Sequence, residues 1–169
     1  MAVDFKSLNK YDQGALVAGA VAVVLSFIGS YVTASIDAGD DLPGVSYDSG
    51  TNAWDSFATL GMLLVILAVA VVAVKAFAAG SLPAGVPWNL VAFAAAALGT
   101  VLLVLRAFTY GDGGAGALGV DVSVGPGWSG WLLFIATIAL SVFAFLSFKA
   151  SGEKIPEINR KDGTPPPAA

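Results

Sequence analysis

The chain of 169 residues has no cysteine and no histidine, and charged residues make up only 12% of it. Without cysteine there is no disulfide, thiolate nucleophile, iron–sulfur ligand or lipid-modified thiol. Without histidine, bis-imidazole haem, the common zinc and copper sites and the usual general base are gone. An average soluble domain carries roughly 25% charged residues, so solubilising charge is about half of what a water-exposed globule uses. A net charge of −4 speaks against nucleic-acid binding. What remains is apolar: 57% of residues are hydrophobic, and mean hydropathy is +0.81. This composition predicts an integral membrane protein.

The apolar residues fall into four blocks, at residues 14–33, 54–79, 88–108 and 128–148. Each is near the ~20 residues needed to cross a hydrocarbon core. Backbone groups in lipid must satisfy one another, so blocks of this length are expected to be helices, and the missing apolar–polar alternation excludes a membrane β-barrel. The predicted fold is an all-α, integral membrane four-helix bundle. Residues 1–13 are an N-terminal segment, 14–148 the four-span domain and 149–169 a polar, proline-rich tail. The first block follows Lys6 and Lys10, but its apolar run exceeds the 7–15 residues of a signal-peptide core, so it is expected to stay as an anchor.

Orientation follows from charge. Four spans put both termini and the connector 80–87 on one side, with Lys6, Lys10, Lys75, Lys149, Lys154, Arg160 and Lys161, seven of the eight basic residues. The other two loops, 34–53 and 109–127, hold no Lys or Arg but carry Asp37, Asp40, Asp41, Asp48, Asp112 and Asp121. The positive-inside rule makes both termini cytoplasmic, in a bacterial plasma membrane. Trp54, Trp88, Trp128 and Trp131 each open a span, as an interfacial aromatic belt does.

Two features bear on packing. Both 52–57 and 126–131 enter a span after an acidic, glycine-rich loop, which suggests two tandem helical hairpins related as a parallel repeat. Small residues recur every four positions at Gly14, Ala18, Ala22, Ser26 and Ser30, and again at Ala92 and Ala96, with Gly99 beside them. Close helix packing in lipid needs small residues, so spans one and three are expected to form the packed centre.

Few groups carry chemistry. Arg106 lies two residues inside the outer end of span three, and Asp55 at comparable depth in span two; they form a candidate ion pair that clamps two helices. The span centres offer only Ser26, Thr100, Thr137 and Ser141, each able to bond back to its own helix. No proline interrupts a span. The sequence Asp37-Ala38-Gly39-Asp40-Asp41 lacks EF-hand spacing and its closing Glu, and reads as a solvated acidic loop. No catalytic residue, cofactor ligand or metal site is assigned, and the chain is not expected to be an enzyme.

The ordering of spans, the acidic glycine-rich first outer loop and the run Gly127-Trp128-Ser129-Gly130-Trp131-Leu132-Leu133 resemble the small tetraspan membrane proteins of high-GC Gram-positive bacteria, the 34-kDa-antigen-like family. The resemblance covers residues 14–148 and implies association with the cell envelope or a larger membrane complex. Taken together, these readings point to a non-catalytic accessory or scaffold subunit of a respiratory or envelope assembly, with lipid and other membrane subunits as partners. The alternative is a small homo-oligomeric channel or transporter, with Ser26, Thr100 or Ser141 on the central axis.

Overall fold

The computed structural model describes residues 5–37, 46–110 and 121–154. Four helices account for most of them: α1 (Lys10–Ser26), α2 (Ala58–Phe77), α3 (Trp88–Phe108) and α4 (Trp128–Ser151). Three of these, α2, α3 and α4, are long and apolar enough to cross a membrane. Helix α1 has 17 residues, about 25 Å at the α-helical rise.

The expected first span is therefore corrected. It starts earlier, where the Asn9 side chain accepts from the Tyr11 amide at 3.2 Å, an N-terminal cap that draws Lys10 and Asp12 into the first turn. It ends earlier too. Ser26 Oγ bonds back to the Val23 carbonyl at 2.7 Å, and the chain turns through Gly29 and Ser30 instead of continuing the helix. The apolar residues beyond, Tyr31 and Val32, are buried within the protein and lie outside the helix.

They lead into a feature absent from the sequence expectations. Strand β1 (Val32–Asp37) pairs on one edge with β2 (Ser46–Thr51) and on the other with β3 (Asp121–Pro126), both antiparallel. The register aligns Thr51, Val32 and Pro126 in one row, and Gly50, Thr33 and Gly125 in the next. The segments expected to be simple acidic loops thus form a small sheet at one end of the helices. Of the loop aspartates, Asp40, Asp41 and Asp112 lie outside the described residues, as does the tail from 155 onward.

The helices form a ring in chain order. Helix α1 packs against α4 and α2, and α3 against α2 and α4; the most extensive pairings are α2 with α3 and α1 with α4. Spans one and three lie on a diagonal, so the expected centre between them is corrected. The tandem-hairpin reading changes as well: α1 and α2 are the least extensively packed neighbours in the ring, so the first hairpin is no self-contained unit.

Small residues still do the packing, against other partners. At the crossing of α2 and α3 a Cβ added to Gly99 would lie 2.7 Å from the Gly61 carbonyl oxygen, and one added to Gly61 would lie 3.0 Å from that of Gly99. The two backbones meet because neither residue has a side chain. On α1 the buried face is Asp12, Ala15, Gly19, Ala22 and Ser26, alternating steps of three and four. A strict four-residue ridge drifts around a helix of 3.6 residues per turn. Hence Ala22 and Ser26 of the expected ridge are buried, Gly14 and Ala18 are half-buried, and Ser30 falls beyond the helix. Ala92, Ala96 and Gly99 of α3 are all buried.

Many large apolar side chains point the other way. Val17, Val21 and Val24 of α1, Leu60, Leu63 and Leu67 of α2, Leu98, Val101 and Leu105 of α3 and Ile135, Ile138 and Val142 of α4 are exposed. The interior mixes small residues at the helix crossings with Met62, Val65, Leu103, Leu133 and Leu140, all fully buried, while the large apolar side chains of the exterior are valine, leucine, isoleucine and aromatic. A soluble monomer rarely exposes so continuous an apolar surface, and this one is compatible with surrounding hydrocarbon.

Candidate functional site

Successive helices in the ring run in opposite directions, so the starts of α1 and α3 and the ends of α2 and α4 share one end of the bundle. Each contributes one polar residue to a common cluster there: Asp12, Asn89, Lys75 and Ser147. Asp12, Asn89 and Ser147 are buried, and the Lys75 side chain is 21% exposed. The four converge on one ammonium group. Lys75 Nζ donates to Asp12 Oδ1 at 2.9 Å, to Ser147 Oγ at 3.0 Å and to Asn89 Oδ1. A lysine ammonium has three protons to donate, and each finds an oxygen on a different helix. The acceptors are joined to one another as well: Ser147 Oγ donates to Asp12 Oδ1 at 2.7 Å and lies 3.1 Å from Asn89 Oδ1.

The charges suit the backbone around them. Asp12 is in the first turn of α1 and Lys75 in the last turn of α2, the ends at which helix dipoles favour an anion and a cation respectively.

Asn89 extends the cluster to the segment after α4. That helix stops at Gly152, whose φ of 69° is left-handed, a conformation glycine adopts without cost from a Cβ. The reversal brings back Glu153, which accepts from Asn89 Nδ2 at 2.7 Å, from the Asn89 amide at 3.0 Å and from the Leu90 amide at 3.3 Å. The first amides of a helix have no partner within it, and the residue ahead of α3, Pro87, has no side chain to cap them. Glu153 supplies that cap from another element. Asp12, Lys75, Asn89 and Glu153 therefore form one continuous hydrogen-bonded line.

A second polar group occupies the sheet end. Arg106 Nη2 and Asp55 Oδ2 are 2.7 Å apart, joining α3 to the turn before α2. The guanidinium carbon also sits 4.0 Å from the Tyr110 ring centroid and 5.7 Å from that of Phe57, within range of cation–π attraction. Arg106 Nε and Ser129 Oγ are buried with no hydrogen-bond partner among the described residues. Nearby, Tyr31 reaches into the bundle and donates to the Leu103 carbonyl at 2.5 Å, and Trp54 Nε1 donates to Ser26 Oγ at 3.1 Å.

The tryptophans divide between the ends. Trp88 opens α3 at the Lys75 end, donating to the Pro83 carbonyl at 3.1 Å, while Trp54, Trp128 and Trp131 lie at the sheet end. Trp128 and Trp131 are more than half exposed. Midway along the bundle, Thr100 and Ser141 hydroxyls are 3.2 Å apart, and each also bonds back to its own helix, at Ala96 and Thr137. They floor an open groove of about 390 Å³ between α3 and α4, walled by Phe93, Ile138, Val142 and Phe145.

Sequence reasoning missed Asp12, Asn89, Ser147 and Glu153, and placed Lys75 among the cytoplasmic charges alone. The available signal was opposite charge at the same end of two apolar blocks, Asp12 just before the first and Lys75 about one turn inside the second. Among the described residues no group of three or more carboxylates is placed to hold a metal ion. The arrangement pairs opposite charges, caps a helix and joins the four helices. Comparison with family models, with curated proteins and with solved structures finds no match.

Proposed function

We propose that this chain is a non-catalytic accessory or scaffold subunit of a larger bacterial membrane complex, lying in the plasma membrane with both termini cytoplasmic and acting through helix packing. The observation that carries the reading is the Lys75 cluster: all three ammonium protons are spent on side chains of the other three helices. Ionisable groups in membrane helices commonly mark a solute path; here they tie the helices into one body. The outward apolar faces then become the functional surface, against lipid and neighbouring subunits. The run opening α4 and its resemblance to the tetraspan envelope proteins support the same placement.

The test is purification of the tagged protein from its native membrane in mild detergent, with the mass read on a native gel and co-purifying chains by mass spectrometry. Stoichiometric recovery with a larger assembly is expected; a homogeneous self-oligomer with no partner overturns the reading. That outcome favours a homo-oligomeric channel, for which Thr100 and Ser141, opening on the outer groove between α3 and α4, supply polar groups at mid-depth.

A further inference from the structure

The oxygens around Lys75 describe a binding site in their own right. Asp12 Oδ1 supplies one negative charge, Asn89 Oδ1 a neutral carbonyl and Ser147 Oγ a neutral hydroxyl, each from a different helix. The hydroxyl donates to the carboxylate oxygen at 2.7 Å and lies 3.1 Å from the carbonyl oxygen, so the three acceptors stand together around one ammonium. One carboxylate and two neutral oxygens match a single positive charge, and they are hard ligands of the kind that hold hard cations. The cation present is covalently attached and comes from the remaining helix.

We propose that Asp12, Asn89 and Ser147 form a monovalent-cation site, selective for a primary ammonium, which the protein fills from within with Lys75. Three acceptors facing three N–H donors define the selectivity: a primary ammonium satisfies all of them, whereas a quaternary ammonium has no proton to give and is too wide to approach. The side chain of Lys75 sets occupancy by tethering, since an attached ligand binds at an effective concentration that no dilute free cation matches. The site is distinct from the scaffold reading and holds whether the protein works as a subunit or as a channel.

The experiment uses the full-length protein in detergent, comparing wild type with Lys75→Ala, which removes the tethered ammonium together with the methylenes whose place a free alkylammonium would take. Thermal stability is followed while methylammonium chloride is titrated, with tetramethylammonium chloride at equal concentration as the control. Lys75→Ala is expected to melt lower than wild type and to regain stability in a saturable way with methylammonium alone. Wild type is expected to respond equally to the two salts. Adding Asp12→Asn to Lys75→Ala should abolish the methylammonium response. An equal response of Lys75→Ala to both salts overturns the proposal. If Lys75→Ala cannot be recovered in plain buffer, its extraction is repeated in each salt: recovery in methylammonium only supports the site, and recovery in neither, or in both alike, overturns it.

Discussion

Asp12 and Lys75 stand 63 positions apart in the chain and meet at 2.9 Å, one in the first turn of α1 and the other in the last turn of α2. Removing one partner leaves a buried charge uncompensated, which costs about 3–5 kcal/mol where the pair is well shielded. Lys75 is partly exposed, so Asp12→Ala is expected toward the lower end of that range. Asp12→Ala combined with Lys75→Met should be less damaging than the sum of the two single changes, because the pair is coupled. Thermal melts of the four proteins in one detergent measure this; additive losses would show that the pair contributes no coupling.

The crossing of Gly61 and Gly99 leaves no space for a side chain. Gly99→Val forces backbones apart rather than shifting a flexible neighbour, and overpacking of this kind costs about 1–3 kcal/mol. Ala94→Val, at an exposed position of the same helix, is the matched control and should change the melting temperature little. Equal effects of both substitutions would place α2 and α3 further apart than described.

Glu153 caps α3 from outside it. Glu153→Ala should uncap the helix at about 0.5–2 kcal/mol, while Glu153→Gln, which keeps an acceptor, should lose less. Hydrogen exchange read by mass spectrometry over the peptide containing Asn89 and Leu90 is expected to rise in Glu153→Ala and to stay near wild type over the middle of α2. Unchanged exchange at the start of α3 would refute the cap.

Arg106 joins its helix to Asp55 and lies against Tyr110. Arg106→Lys keeps the charge but not the planar guanidinium that stacks on an aromatic ring, so it should be intermediate between wild type and Arg106→Ala in melting temperature. In the accessory-subunit reading, Arg106→Ala lowers expression or co-purification with partners. Altered solute flux with intact assembly would instead favour the channel.

What could be read from the chain ahead of its coordinates was the part that depends on runs of like residues. The apolar block at 88–108 coincides with α3, and the blocks at 54–79 and 128–148 contain or overlap α2 and α4, because apolar length and the need to satisfy the backbone decide such helices locally. The first helix was harder, since Phe27 and Ile28 carry the apolar run past the end of the helix and Tyr31 and Val32 resume it after Gly29 and Ser30 have turned the chain. The sheet was not legible: its pairing of β1 with β3 joins distant residues, 92 positions apart in the case of Thr33 with Gly125, and no local pattern in a glycine-rich loop announces such a partner. The Arg106–Asp55 contact could be anticipated from equal depth in adjacent spans. The Lys75 cluster could not, because Asn89 and Ser147 are unremarkable until the ring order brings α3 and α4 beside α1 and α2.

That ring order has a consequence for synthesis. Helix α1 is the first to leave the ribosome, yet its most extensive partner is α4, the last, and β1 likewise waits for β3 to cover its second edge. Until α4 arrives, Asp12 lacks the Ser147 hydroxyl and α1 has only its weaker neighbour beside it. Completion of the last helix is therefore the step that closes the ring and supplies Asp12 with its last partner. A chain cut short before α4 is left with an open ring, in which α1 and α3 each lack one of their two neighbours.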